Sequence, residues 1–116
     1  MVQRFNKQNE LASQGNIKAM YDVGKLYERG RGVKKDISKA ADFFQKAATA
    51  GNPSAQARLG ILYFEGRGVK QSYKKALSLL NSAAKENIPS AQFQLANMYE
   101  LGTGVSQNLP KAIAWY

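Results

Sequence analysis

The chain has 116 residues, enough for one domain but too few for a second core of useful size. Lysine and arginine total 17 against 8 acidic residues, and the formal charge of +9 favours acidic partners or surfaces. The sequence has no cysteine and no histidine, which excludes disulfides, thiolate metal sites and the commonest general base. We therefore predict a protein that is not an enzyme and that holds no metal and no cofactor.

A 36-residue period organises the sequence. All ten glycines fall into four series at this interval, which are Gly15 and Gly51; Gly24 and Gly60; Gly30, Gly66 and Gly102; and Gly32, Gly68 and Gly104. Tyrosine, valine and lysine recur in the same way, as Tyr27, Tyr63 and Tyr99; Val33, Val69 and Val105; and Lys39, Lys75 and Lys111. Such a period predicts a solenoid, in which the stacking of neighbouring units makes the core.

The predicted elements begin with a half-repeat helix in residues 1–14, followed by units at 15–50, 51–86 and 87–116. The first helix of a unit starts after the N-caps Asn16 and Asn52, and prolines stand at its first position in the later units, at Pro53 and Pro89. It ends at Gly30 or its equivalents, because glycine adopts the left-handed conformation that terminates helices. In the third unit this helix is expected over roughly 89–101.

The second helix of each unit is predicted to begin at Asp36, Ser72 or Asn108 and to close at Gly51 or Asn87. Helical spacing then predicts the buried faces. They are Ala19, Val23, Leu26 and Tyr27 on the first helix of the first unit; Ile37, Ala40, Phe44 and Ala47 on its second helix; and Tyr73, Ala76, Leu80 and Ala83 on the second helix of the second unit. The expected fold is an all-α αα-superhelix, a solenoid of 36-residue helix–turn–helix repeats.

The last predicted helix stops at Trp115 and Tyr116, about two turns short of its counterparts. We interpret this as a fragment of a longer array, or as an edge that another chain covers. Self-association through the uncapped C-terminal edge is one way to cover it.

One run carries a family resemblance. It extends from Ala55 through Leu59-Gly60 and Tyr63 to Gly66-Arg-Gly-Val69, and Lys75-Ala76 and Ala83-Ala84 follow it. It resembles the Sel-1-like repeat (SLR) family of tetratricopeptide-like helical repeats. A tetratricopeptide repeat itself is the nearest alternative. It is disfavoured because that repeat has a 34-residue period and lacks the Gly-x-Gly-Val turn present in this sequence. The departures include Ser72 in place of the usual Asp, and Leu79-Leu80 in place of an aromatic pair.

The resemblance implies an αα-solenoid that acts as an adaptor or scaffold in protein complexes, with many members in bacteria and no shared catalytic site. It also implies that the first helices line the concave surface. Because the repeated residues build the scaffold, we expect the partner-binding residues among those that vary between units.

On the first helices, the stripe opposite the core falls at Tyr21, Lys25 and Glu28; then at Ala57, Ile61 and Phe64; then at Phe93, Asn97 and Glu100. Ile61 and Phe64, flanked by Tyr21 and Phe93, predict an apolar groove with charged rims. Such a groove is typical of a site that binds a peptide or a helical segment of a partner protein. The alternative is that these side chains fill gaps between stacked first helices.

Basic residues cluster in the loop between the paired helices. They are Arg29, Arg31, Lys34, Lys35 and Lys39 in one unit and Arg67, Lys70, Lys74 and Lys75 in the next. They predict a basic ridge along one edge, suited to an acidic protein, an anionic surface or a nucleic-acid backbone. Nucleic acid is disfavoured because no aromatic stacking platform lies between the basic residues. The alternative is an edge that only improves solubility.

No run approaches the 18 apolar residues of a transmembrane helix, and the N-terminus lacks the apolar segment of a signal peptide. The default expectation is a soluble cytoplasmic protein. A periplasmic or secreted location stays open.

Overall fold

The computed structural model describes residues 2–103 and 111, and residues 2–103 form six α-helices. In chain order they are α1 (Val2–Ser13), α2 (Ile17–Arg29), α3 (Ile37–Thr49), α4 (Pro53–Glu65), α5 (Tyr73–Lys85) and α6 (Pro89–Leu101). Each helix packs against the next along the chain, and α4 also contacts α6. This is the predicted stack of helix pairs, in which α2, α4 and α6 are the first helices of successive units.

The first helices start where the sequence predicts. The side-chain oxygens of Asn16 and Asn52 each accept the backbone N–H three residues later, at 2.9 Å in both cases. Pro53 and Pro89 take the first position of α4 and α6. The N-cap of α6 is Ile88, which makes no side-chain cap hydrogen bond, so the fixed φ of Pro89 is its main local start signal.

The second helices are capped by residues of different type with the same function. Asp36 accepts the N–H of Lys39 at 3.0 Å, and Ser72 accepts the N–H of Lys75 at 3.2 Å. The third predicted cap, Asn108, lies outside the described residues.

Left-handed residues end the helices at the predicted places. Gly30, Gly66 and Gly102 have φ values of 68, 68 and 71°, and the N–H of each donates to the carbonyl four residues earlier. After the second helices, Gly51 has φ 96° and Asn87 has φ 62°. Asparagine tolerates this conformation better than most residues, so it replaces glycine there at small cost.

The core consists of the predicted small and aliphatic faces. Buried residues form three neighbouring clusters, one between α1 and α2 and two that run through the later helices. Tyr73 is an exception, because it is 37% exposed and its ring lies against Phe64 with 5.4 Å between centroids. The prediction that Tyr73 belongs to the buried face is therefore wrong. At the first position of α5, its side chain extends past the end of the core.

Candidate protein-interaction surfaces

We call the predicted stripe on α2, α4 and α6 the first-helix stripe. On α2 its members are engaged with neighbouring side chains. Tyr21 is half-buried, and its ring lies 5.9 Å from that of Phe44. Lys25 Nζ lies 4.6 Å above the Tyr21 ring and 3.7 Å from Asp22 Oδ1. This end of the stripe is therefore polar and partly packed on the core.

Glu28, the third member on α2, pairs with a residue that the sequence analysis did not single out. Arg58 on α4 donates to Glu28 Oε1 at 2.9 Å. The pair spans 30 residues rather than 36, so the repeat pattern gives no signal for it. It joins two successive first helices at the rim of the stripe.

The α4 part of the stripe is apolar and less exposed than expected. Ala57 is 1% exposed, and Ile61 and Phe64 are half-buried against the cluster formed with α5 and α6. The expectation that the whole stripe lies opposite the core is therefore wrong at Ala57, because α6 packs against α4 on this side. Ile61 and Phe64 retain partly accessible side chains.

The α6 part of the stripe is the most exposed. Phe93 is 60% exposed, Asn97 is half-buried and Glu100 is exposed. Because α4 contacts α6, Phe93 and Asn97 of α6 lie on the helix beside the one that carries Ile61 and Phe64.

The two loops that carry the predicted basic ridge lie next to each other. A Cβ atom on Gly68 would lie 2.6 Å from the carbonyl oxygen of Ile37, so the second inter-helix loop lies directly against the start of α3. This contact places the two basic loops side by side. The predicted ridge residues Arg31, Lys34, Lys35, Arg67, Lys70 and Lys74 are all exposed. Arg67 pairs with Glu65 at 3.5 Å.

One lysine of each unit belongs to the scaffold. Its ammonium group lies over the ring of the repeated tyrosine of the preceding helix, within the range of a cation–π contact. The pairs are Lys39 over Tyr27 at 5.6 Å, Lys75 over Tyr63 at 5.3 Å and Lys111 over Tyr99 at 5.2 Å. The 36-residue recurrence of these lysines is therefore explained by their packing on the tyrosine rings.

Two further observations concern membranes and metal ions. None of the helices within the described part of the chain is long and apolar enough to cross a membrane. Residues 2–103 also contain no group of three or more acidic side chains that could hold a metal ion. The predicted self-association edge around Trp115 lies outside the described residues.

Comparison with solved structures finds the same fold in bacterial proteins. A protective antigen of uropathogenic Escherichia coli with an SLR fold is 35% identical, with a TM-score of 0.90 over 94% of this chain and 23% of the antigen. A Sel1 repeat protein from Oxalobacter formigenes is 31% identical, with a TM-score of 0.84 over 97% of this chain and 52% of that one. Cysteine rich protein B of Helicobacter pylori is 26% identical, with a TM-score of 0.70 over 75% and 65%.

The chain thus spans between about a quarter and two thirds of the length of these structures. No curated protein matches it in a sequence comparison. Proteins built from Sel1 repeats are mostly non-catalytic scaffolds and generally serve as protein-interaction modules. The model of the Sel1 repeat matches three times, at residues 17–52, 53–88 and 89–116. The resemblance seen in the sequence is therefore confirmed, and the chain belongs to the Sel1 repeat family.

Proposed function

We propose that this chain is a protein-interaction module that binds a peptide or a helix of a partner protein along its first-helix stripe. The residues assigned to this contact are Tyr21, Lys25, Glu28, Ile61, Phe64, Phe93 and Asn97. The chain then acts as an adaptor or scaffold and carries out no catalysis.

The observation that carries the proposal is the change in character along the stripe. Where α2 has the charged residues Lys25 and Glu28, α4 has Ile61 and Phe64 at the equivalent positions, and both are only half-buried. Phe93 on the adjacent α6 is 60% exposed. An apolar centre with a polar border is the usual anatomy of a protein interface.

The charged side chains of α2 support this arrangement. Lys25 is close to Asp22, and Glu28 is paired with Arg58 on α4. These contacts hold the charged groups at one end of the apolar area. A partner segment with apolar side chains at helical spacing fits the centre, and its polar flank then meets the α2 end.

The test replaces Ile61 and Phe64 by the residues of the first unit, as the double variant I61K/F64E. Asp at these half-buried positions would place a short charged side chain against the core, whereas lysine and glutamate are long enough to reach solvent from the same helix positions. The matched control is S38K/S82E, which adds the same charges at exposed positions of α3 and α5.

Each protein is used to retrieve partners from an extract of the native organism, and the retained proteins are identified by mass spectrometry. We expect I61K/F64E to lose the partner that the wild type and S38K/S82E both retain, with an unchanged helical circular dichroism spectrum. If the folded I61K/F64E variant retains the same partner, the first-helix stripe is not the binding surface.

A further inference from the structure

Two departures from the repeat pattern fall at the same place in the fold. Leu79 on α5 stands where α3 has Phe43, and Ser72 stands where the first unit has Asp36. Neither residue belongs to the first-helix stripe. Together they change what surrounds the repeated tyrosine of the second unit, Tyr63.

In the first unit, aromatic side chains cover the equivalent tyrosine. Phe43 stacks on Tyr27 with 5.9 Å between ring centroids and 22° between planes. Phe5 of α1 meets the same ring edge-to-face at 5.3 Å. Tyr27 therefore contacts two aromatic rings in addition to Lys39.

In the second unit, Leu79 supplies no ring, and a cavity of about 240 Å³ lies beside Tyr63. Its walls are Gln45 of α3 and Lys75, Ser78 and Leu79 of α5. An enclosed cavity of roughly 150 Å³ admits benzene. The space beside Tyr63 is open to solvent, and its volume leaves room for an aromatic side chain. The position that Phe43 takes on Tyr27 shows which group suits it.

A second cavity, of about 490 Å³, shares Tyr63 and Lys75 with the first and continues along the inter-helix loop. Its other walls are Val69, Lys70, Gln71 and Ser72. Its counterpart in the first unit has about 220 Å³ and includes the carboxylate of Asp36. The neutral Ser72 keeps the cap of α5 but removes that negative charge.

The adjoining cavities are consequently positive. None of the described residues that line them is acidic. Lys70 and Lys75 form no ion pair within the described part of the chain, and Lys70 extends the basic ridge to the mouth of the larger cavity. A carboxylate that enters beside Tyr63 therefore meets two ammonium groups, and none of the described side chains that line the two cavities is acidic.

We propose that the two cavities form one binding site for a peptide segment of a partner protein in which an aromatic residue stands next to an acidic one. The aromatic ring enters the smaller cavity and stacks on Tyr63, as Phe43 does on Tyr27. The neighbouring carboxylate pairs with Lys70 and Lys75 in the larger cavity. This site is separate from the first-helix stripe and gives the module a second recognition surface.

The experiment titrates isotope-labelled full chain with the blocked peptide Gly-Ser-Phe-Glu-Ser-Gly and follows amide shifts by nuclear magnetic resonance. The matched peptides replace Phe by Ala or Glu by Gln. The protein variants are L79F, which supplies the ring of the first unit, and S72D, which restores the carboxylate and keeps an N-cap. Because each variant introduces a residue that the first unit already carries, we expect both to fold.

We expect shifts around Tyr63 and Lys70, and a dissociation constant that rises roughly tenfold or more for L79F, for S72D and for either altered peptide. Equal affinity of wild type and L79F overturns the proposal, as does equal affinity of the Glu and Gln peptides. Absence of shifts around Tyr63 also overturns it.

Two controls distinguish this proposal from binding at the first-helix stripe and from general polyanion binding. The variant I61K/F64E changes no residue that lines either cavity, so it should bind the peptide like the wild type even if the first-helix stripe proves inactive. An oligothymidylate is titrated as a competitor. If it binds more tightly than the peptide and is insensitive to L79F, the basic ridge is a general polyanion surface and the peptide site is rejected.

Discussion

A Cβ atom at Gly24 would lie 2.6 Å from Cε1 of Phe44, so α2 and α3 approach each other at a distance that only glycine permits. The equivalent approach of α4 and α5 is similar but less severe. A Cβ on Gly60 would lie 2.9 Å from Cγ of Leu80 and 3.3 Å from Cβ of Leu79. The two contacts differ in how far the partner can yield, because a leucine side chain repacks more easily than a buried aromatic ring.

The variant G24A should therefore destabilise the fold more than G60A. We expect G24A to lower the free energy of unfolding by about 2 kcal/mol, because the added methyl group displaces the fully buried ring of Phe44. For G60A we expect about 1 kcal/mol or less, since the gain in helix propensity offsets a smaller clash. Urea denaturation followed by circular dichroism measures both. Equal losses would mean that Phe44 moves as freely as Leu80.

The loop glycine Gly68 is expected to be more sensitive to substitution than Gly30 or Gly66, whose Cβ positions are less crowded. It combines φ of 72° with a Cβ position 2.6 Å from the backbone oxygen of Ile37. Alanine there must adopt a left-handed conformation and also separate the loop from α3, which should cost roughly 3 kcal/mol or more.

Gly51 provides the control for this prediction. Its φ is 96°, but a Cβ atom there would meet nothing within 4 Å. The variant G51A should therefore cost only the backbone strain, about 1–2 kcal/mol, and G51N less, since Asn87 already takes the equivalent position. If thermal or urea unfolding shows G68A and G51A to be equally stable, the loop does not depend on its contact with Ile37.

Helix positions could be predicted closely because independent local signals agree at a fixed interval. Asn52 and Pro53 set the start of α4, Gly66 sets its end, and each acts within one turn of the chain. The cap of α5 could be predicted although its residue type changes, since Ser72 makes the same hydrogen bond as an aspartate. These features depend on sequence neighbours only.

Side-chain environments between units could not be predicted in the same way. Ala57 is buried because α6 packs on α4, and Arg58 reaches Glu28 across an offset that the period does not contain. Likewise, the sequence shows that Leu79 takes the position in α5 that Phe43 takes in α3. The consequence for Tyr63 depends on the packing of three helices. The surroundings of the residues that differ between units depend on contacts between helices that are distant in the sequence.

The lysine that recurs over each tyrosine ring should contribute to stability. The variant K75M removes the ammonium group above Tyr63 and keeps most of the aliphatic chain, so we expect a loss of about 0.5–1 kcal/mol. The neighbouring K74M, at an exposed position of the basic ridge, is the control and should change stability by less than about 0.5 kcal/mol. Parallel urea titrations would show the difference, and indistinguishable midpoints would argue against a cation–π contribution.

The ion pair between Arg58 and Glu28 should couple the first two units. Its side chains are 34% and 15% exposed, so solvent screens it less than the pair of Arg67 and Glu65, whose side chains are 48% and 44% exposed. A double-mutant cycle with E28A and R58A should give a coupling energy of about 0.5–1 kcal/mol. The same cycle at E65A and R67A should give a value near zero.

Salt separates this electrostatic coupling from a packing effect. Raising the ionic strength to roughly 1 M shortens the screening length to about 3 Å, which should reduce the Glu28–Arg58 coupling by roughly half. Each single variant should also leave its partner's charge partly buried and unpaired, so E28A should cost more than E65A in low salt. A coupling energy that is unchanged in high salt would instead assign the interaction to contact between the two side chains, with α2 and α4 held together by packing.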